Sequence, residues 1–171
     1  MGKGTVMRIL TLALVVLALT ACDGSPPLSV PVVASGDTWD LGFGRDPRGG
    51  GLCFALDDLR GSYLFCTDLV YPEVGSGVVE SLGNEGSLVL GTVSTRVATV
   101  EVALEDGSVV ATNPFAPPET ITIERNLFAL EIDQPHGSAV ATLLDGRGRR
   151  LATAEFRWNE DVGGSVLFEA L

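Results

Sequence analysis

From Ser35 onward, short β-rich runs alternate with Gly, Asp and Pro at close intervals, and this punctuation constrains the fold more than any other feature. The chain of 171 residues holds 21 glycines and nine prolines. No stretch keeps a 3.6-residue period, so strands joined by tight turns are the elements expected here. Trp39, Leu41 and Phe43 alternate with Asp40, Gly42 and Gly44 as a first strand. Gly44 to Gly51 is a loop, and its glycine triplet lacks the Lys-Ser/Thr ending of a phosphate-binding loop.

The next two runs, 52–57 and 62–68, fix their own register. If Asp58 pairs with Gly61 across Leu59-Arg60, Cys53 faces Cys66, Ala55 faces Leu64 and Asp57 faces Ser62. The other face then sets Phe54 against Phe65 and Leu56 against Tyr63, an apolar patch fit for a core. One register satisfies both the cysteines and the hydrophobic face, which predicts a Cys53–Cys66 disulfide in an exported chain. The alternative, a redox or metal site, lacks a Cys-x-x-Cys spacing, and the single His136 cannot complete a zinc set.

Residues 70–87 read as glycine-rich and irregular, with Val78-Val79 as a short strand, and 88–93 as a further strand. Val100, Val102 and Leu104 alternate with Glu101, Ala103 and Glu105, and Asp106-Gly107 predicts a two-residue hairpin turn before 108–112 returns. The three prolines of 113–119 make that segment a connection. Its Phe115 is expected to plug a sandwich end, with an exposed binding anchor as the alternative. Residues 120–124 and 127–132 read as strands, the second turning Phe128, Leu130 and Ile132 to the core. A further hairpin joins 139–144 to 151–158, and its return arm Gly148–Thr153 echoes Gly107–Thr112. After a turn at 159–164, residues 166–168 form the last strand. Eight to ten short strands at this spacing predict an all-β, two-sheet antiparallel sandwich, with immunoglobulin-like topology first and a small barrel second.

The residues before this body form a leader. Lys3 and Arg8 precede an apolar run, Ile9 to Ala21, broken only by two threonines. As a helix it rises about 20 Å, short of a bilayer's hydrocarbon core, which fits a signal peptide better than a membrane span. Leu19-Thr20-Ala21-Cys22 resembles the lipobox of bacterial lipoproteins. The resemblance covers the leader and Cys22, and implies cleavage before Cys22 and acyl chains on it. Two or three chains suffice for stable anchoring. A secreted protein with a free Cys22 is the alternative. Met7 is an alternative start that leaves the mature protein unchanged. Residues 22–34, with three prolines, read as a Pro-rich tether, leaving 35–171 as the folded domain. That body loosely resembles surface lipoproteins of high-GC bacteria, a resemblance that brings no activity with it.

From Cys22 on there are 150 residues, enough for one domain. The formal charge is −11 overall and −13 from Cys22, because Lys3 and Arg8 leave with the leader. Such acidity argues against nucleic acid and against lying flat on anionic lipid.

Catalytic constellations are not found in the pattern. His136 sits in a Pro-His-Gly turn without a nucleophile elbow. Asp57-Asp58 and Glu160-Asp161 are adjacent, so in a strand they point to opposite faces. No calcium-loop pattern is present, and nothing implies a metal or a cofactor. Arg147, Arg149 and Arg150 gather in one turn of an acidic domain, either as a solvated hairpin tip or as a contact to an acidic partner or envelope polymer. The function expected is that of a noncatalytic module, held by Cys22 on the extracytoplasmic side of a bacterial membrane, that contacts an envelope component. A small-ligand receptor is the second reading and a carboxylate enzyme the third.

Overall fold

A computed structural model of the chain describes residues 30–45, 51–67, 74–83, 86–159 and 164–170. The leader 1–21, Cys22 and most of the expected tether lie outside them. Among the described residues the strands pair antiparallel throughout and form three sheets. Sheet A is the meander β1 (Val32–Ser35), β2 (Trp39–Arg45), β3 (Leu52–Asp58) and β4 (Gly61–Thr67). Sheet B runs in the order β12 (Gly164–Leu167), β5 (Gly75–Ser81), β6 (Ser87–Ser94) and β9 (Arg125–Ile132). Sheet C runs β13 (Glu169–Ala170), β11 (Arg150–Trp158), β10 (Gly137–Asp145), β7 (Val97–Leu104) and β8 (Val109–Thr112).

The antiparallel all-β sandwich expected from the sequence is the architecture found, amended from two sheets to three. Sheet B is the middle layer. Leu88 and Leu90 of β6 pack with Leu41, Phe43, Phe54 and Leu56 of sheet A, while Val89 and Val93 pack with Val100, Val102 and Leu143 of sheet C. Both faces of β6 are therefore buried, which is why it is an almost unbroken apolar run and not an alternating one. The same holds for β9. Phe128, Leu130 and Ile132 face sheet C as expected, but Leu127 and Ala129 also pack against sheet A. Its exposed Glu131 accepts the indole N–H of Trp39 at 3.1 Å, joining β9 to β2. Sheets B and C face each other as two layers around one core. Sheet A is the added layer.

The β3–β4 hairpin has the expected register, with Cys53 opposite Cys66, Phe54 opposite Phe65 and Leu56 opposite Tyr63. The two cysteines are joined. The glycine-rich stretch before β6 holds a full strand, β5, where only Val78-Val79 had been expected. Gly77 lies directly opposite Gly91, which in turn lies opposite Phe128. A methyl group on Gly91 would meet the Ser76 carbonyl oxygen at 2.2 Å, Gly77 Cα at 2.6 Å and the Phe128 ring at 2.9 Å. The ring of Phe128 fills the space that the two glycines leave, so glycine here marks a close approach inside a sheet.

Other expectations are corrected. Residues 121–123 form no strand. After Pro117-Pro118 the segment folds back, the N–H of Ile121 bonding the Pro118 carbonyl at 2.8 Å and its side chain entering the core between sheets A and B. Phe115 is a plug in that core, bridged to Leu127 by two backbone bonds of 2.8 Å. The Asp106-Gly107 hairpin turns over three residues, not two. Leu104 N–H bonds the Ser108 carbonyl at 2.9 Å, Gly107 N–H bonds the Leu104 carbonyl at 3.0 Å, and Gly107 has φ +84°. Asp145 to Arg149 repeats that turn with Gly148 at φ +73°. The sequence echo between the two hairpins thus reflects a shared turn, in which glycine supplies the left-handed residue. Finally, β1 begins at Val32, inside the segment expected as tether. It adds to β2, and Val30 covers the outer face of Gly42 and Gly44.

Candidate functional site

Strand register separates the charges of the domain along the strand axis. Val97 pairs with Asp145, Leu144 with Arg150, and Ser94 with Arg125. The β6–β7 turn, the β10–β11 turn and the start of β9 therefore share one end of the stack. Trp39 bonding Glu131 and Arg60 bonding the Ser81 carbonyl align sheet A with them, which puts Arg45, the last residue of β2, at that end as well. Arg45, Arg96, Arg147, Arg149 and Arg150 are exposed there, with Arg125 half-buried. Asp145 and Glu124 stand among them, with Glu119 in the preceding crossing and Glu169 on β13.

Within this arginine end, Arg149 of the expected trio Arg147, Arg149 and Arg150 is the one whose side chain contacts Asp145. Asp145 accepts the backbone N–H groups of Arg147 at 2.8 Å and Arg149 at 2.9 Å, and the Arg149 guanidinium at 2.6–2.7 Å. These bonds hold the Asp145 carboxyl at about 2, first through the Arg149 N–H and then through its side chain. Arg149 thus helps to shape the turn, and Arg147 and Arg150 are exposed on it.

The opposite end is acidic, carrying Asp37, Asp58, Glu80, Glu105, Asp106 and Asp133 against Arg60 and Arg157. Asp58 accepts the N–H groups of Arg60 and Gly61 at 2.8 and 3.1 Å, and the Arg60 guanidinium at 2.9 and 3.1 Å. The same guanidinium bonds the Ser81 carbonyl and lies 5.7 Å from the Tyr63 ring centre, clamping the β3–β4 turn of sheet A onto sheet B. Beside it, burial pushes the Glu80 carboxyl above its usual range, with Arg60 opposing and Asp58 reinforcing that shift. Asp106 is held below the usual range by the hydroxyl and N–H of Ser108, and also takes the Gln134 amide.

The outer face of sheet C joins these ends. Val109 stands opposite Ala103, Ala103 opposite Val140, and Val140 opposite Glu155, so one row crosses β8, β7, β10 and β11. Val109 is 59% and Val140 39% exposed, which makes this an apolar row open to solvent. The row leads into an open concavity of about 730 Å³ whose polar groups are Glu105, Ser138, Glu155, Arg157 and Ser165. Glu105 accepts the Ser138 hydroxyl there.

The remaining sequence candidates separate as follows. Cys22 and Glu160-Asp161 lie outside the described residues. Asp58 is committed to its turn, and Asp57 instead stands opposite Asp40, a cross-strand carboxylate pair that adjacency in sequence did not reveal. His136 is exposed in the turn between β9 and β10. Among the described residues no group of three or more His, Cys, Asp or Glu could hold a metal ion. The apolar row was missed because alternating Ala, Val and Thr reads as any strand face, and only pairing across β8, β7 and β10 aligns it. Comparison with protein-family models, with curated proteins and with solved structures found no match to this chain.

Proposed function

We propose that this chain is a noncatalytic contact module, anchored through Cys22 on the extracytoplasmic side of a bacterial membrane. The observation that carries this reading is the exposed Val109–Ala103–Val140 row on sheet C, flanked by Glu101, Glu105 and Glu155. A short-side-chain, apolar strip with acids around it suits a protein surface that has an apolar centre and a basic rim. The test is cross-linking on intact cells followed by recovery and mass spectrometry, with Val140→Lys as the comparison. Loss of one recovered envelope protein on this replacement supports the reading, and an unchanged set of cross-linked proteins sinks it.

The concavity beside the row favours a second reading, a small-ligand receptor. Its volume falls within the usual range for small-molecule sites, and Arg157 with Glu105 and Glu155 could orient a ligand bearing both charges. A rise in thermal midpoint with zwitterionic metabolites that Arg157→Gln abolishes would support it.

A further inference from the structure

The arginine end and the route of the chain into the domain coincide. β1 runs antiparallel to β2, so residues before Val32 approach from the end where β2 finishes. Val30 already lies over Gly44, one residue from Arg45. Only eight residues separate it from Cys22 inclusive of Val30 itself, a span of at most about 28 Å even fully extended. An anchor at Cys22 therefore keeps the end bearing Arg45, Arg96, Arg147 and Arg150 within reach of the bilayer, while the acidic end is carried away by the length of the strands.

We propose that the arginine end docks on the anionic phospholipid headgroups of the membrane that holds the chain, and so stands the domain upright with sheet edges along the membrane normal. The inference rests on the anchored reading above. It also revises what the net charge of −13 implied. Over distances beyond about 8 Å at physiological salt, exposed charges are screened, so the nearest end governs contact with the surface and the remote acids do not. The acids at this end do not cancel it: Asp145 is turned to Arg149, and the exposed Arg45, Arg96, Arg147 and Arg150 with half-buried Arg125 outnumber Glu119, Glu124 and Glu169. Each net positive charge near an anionic surface shifts the docked-to-undocked ratio by roughly fivefold, so the excess of two among the described residues of this end shifts it by roughly twenty-five-fold.

The experiment uses the full lipid-modified chain in vesicles of phosphatidylcholine alone or mixed with phosphatidylglycerol. A thiol-reactive fluorophore is placed at Gly146→Cys, where added atoms meet open space, or at Leu59→Cys on the acidic end, 78% exposed. Quenching by headgroup-labelled lipid is then read. The expected result is quenching at position 146 that needs phosphatidylglycerol, falls as salt rises, and is lost with Arg96→Gln, Arg147→Gln and Arg150→Gln together. Position 59 stays unquenched on both vesicles. Equal quenching at the two positions, quenching at 146 that ignores lipid charge, or quenching at 59 alone overturns the proposal. A chain whose intact mass lacks acyl groups and that floats with neither vesicle overturns the anchor itself, an outcome distinct from flotation without charge-dependent quenching.

Discussion

Replacing Gly91 with alanine tests the packing of the middle sheet at its tightest point. In an ordinary strand the change gains about 0.4–1 kcal/mol, because alanine has less conformational freedom to lose on folding. Here the added methyl would stand 2.2 Å from the Ser76 carbonyl oxygen and 2.6 Å from Gly77 Cα, both of them backbone of β5, and 2.9 Å from the Phe128 ring. A ring can swing aside, but a backbone paired along its whole length with β6 cannot move without breaking the ladder. Overpacking in cores costs about 1–3 kcal/mol where side chains give way. With backbone on one side, Gly91→Ala is expected at the top of that range, about 3 kcal/mol net of the chain-entropy gain. Urea unfolding followed by circular dichroism measures it. Adding Phe128→Leu removes the ring contact alone, so the double variant should recover none of the loss. A Gly91→Ala variant within about 0.5 kcal/mol of the parent, or full recovery with Phe128→Leu, would refute the reasoning.

Four further outcomes follow from the structure. Cys53→Ala with Cys66→Ala should cost about 3 kcal/mol in urea unfolding, from the loop closed over a separation of 13 residues. In that variant amide exchange should quicken first in β4, which among the described residues pairs only with β3. Carboxyl NMR should show Asp145 titrating at about 2. Because that value lies below the ordinary one, its stabilisation is present above the usual carboxylate range and fades as pH falls towards 2, and Asp145→Asn should flatten this part of the acid limb. For Glu80 the sign reverses. Burial raises its carboxyl, so the ionised form is the costly one, and Glu80→Gln should raise the melting temperature at pH 7, with the gain vanishing as acid protonates Glu80 in the parent.

Local pairing was legible in the sequence where two constraints had to agree. Cys53 with Cys66 and Phe54 with Phe65 demanded one register, and β3 and β4 have it. The outward and inward sets of β2 were likewise visible in Trp39, Leu41 and Phe43. Layering was not legible, because a strand buried on both faces loses the alternation that reveals a face. Leu88 to Val93 and Leu127 to Ile132 carried that sign as near-continuous apolar runs, and read alone they suit a two-layer core equally well. β5 stayed hidden because Gly75 and Gly77 look like loop residues until Phe128 is seen to occupy their space. Ile121 and Ile123 looked like a strand because β-branched spacing says nothing of Pro118 turning the chain back. Of the candidate site, the arginine trio was visible as composition. Arg45, Arg96 and Arg125 join it only through register, since they lie far apart in the chain.

Residues 164–170 set an order of events. β12 closes one edge of sheet B on β5, and after the single buried Phe168 the chain crosses so that β13 closes an edge of sheet C on β11. A chain synthesised or passed through a membrane pore from its N-terminus can pair β1 to β11 while these residues are still inside. Neither sheet can then be finished, and the edge of β5 stays open to any extended segment nearby. Completion of both sheets waits for the same seven residues, so the domain locks in one late step, and a truncation there would leave two open edges at once.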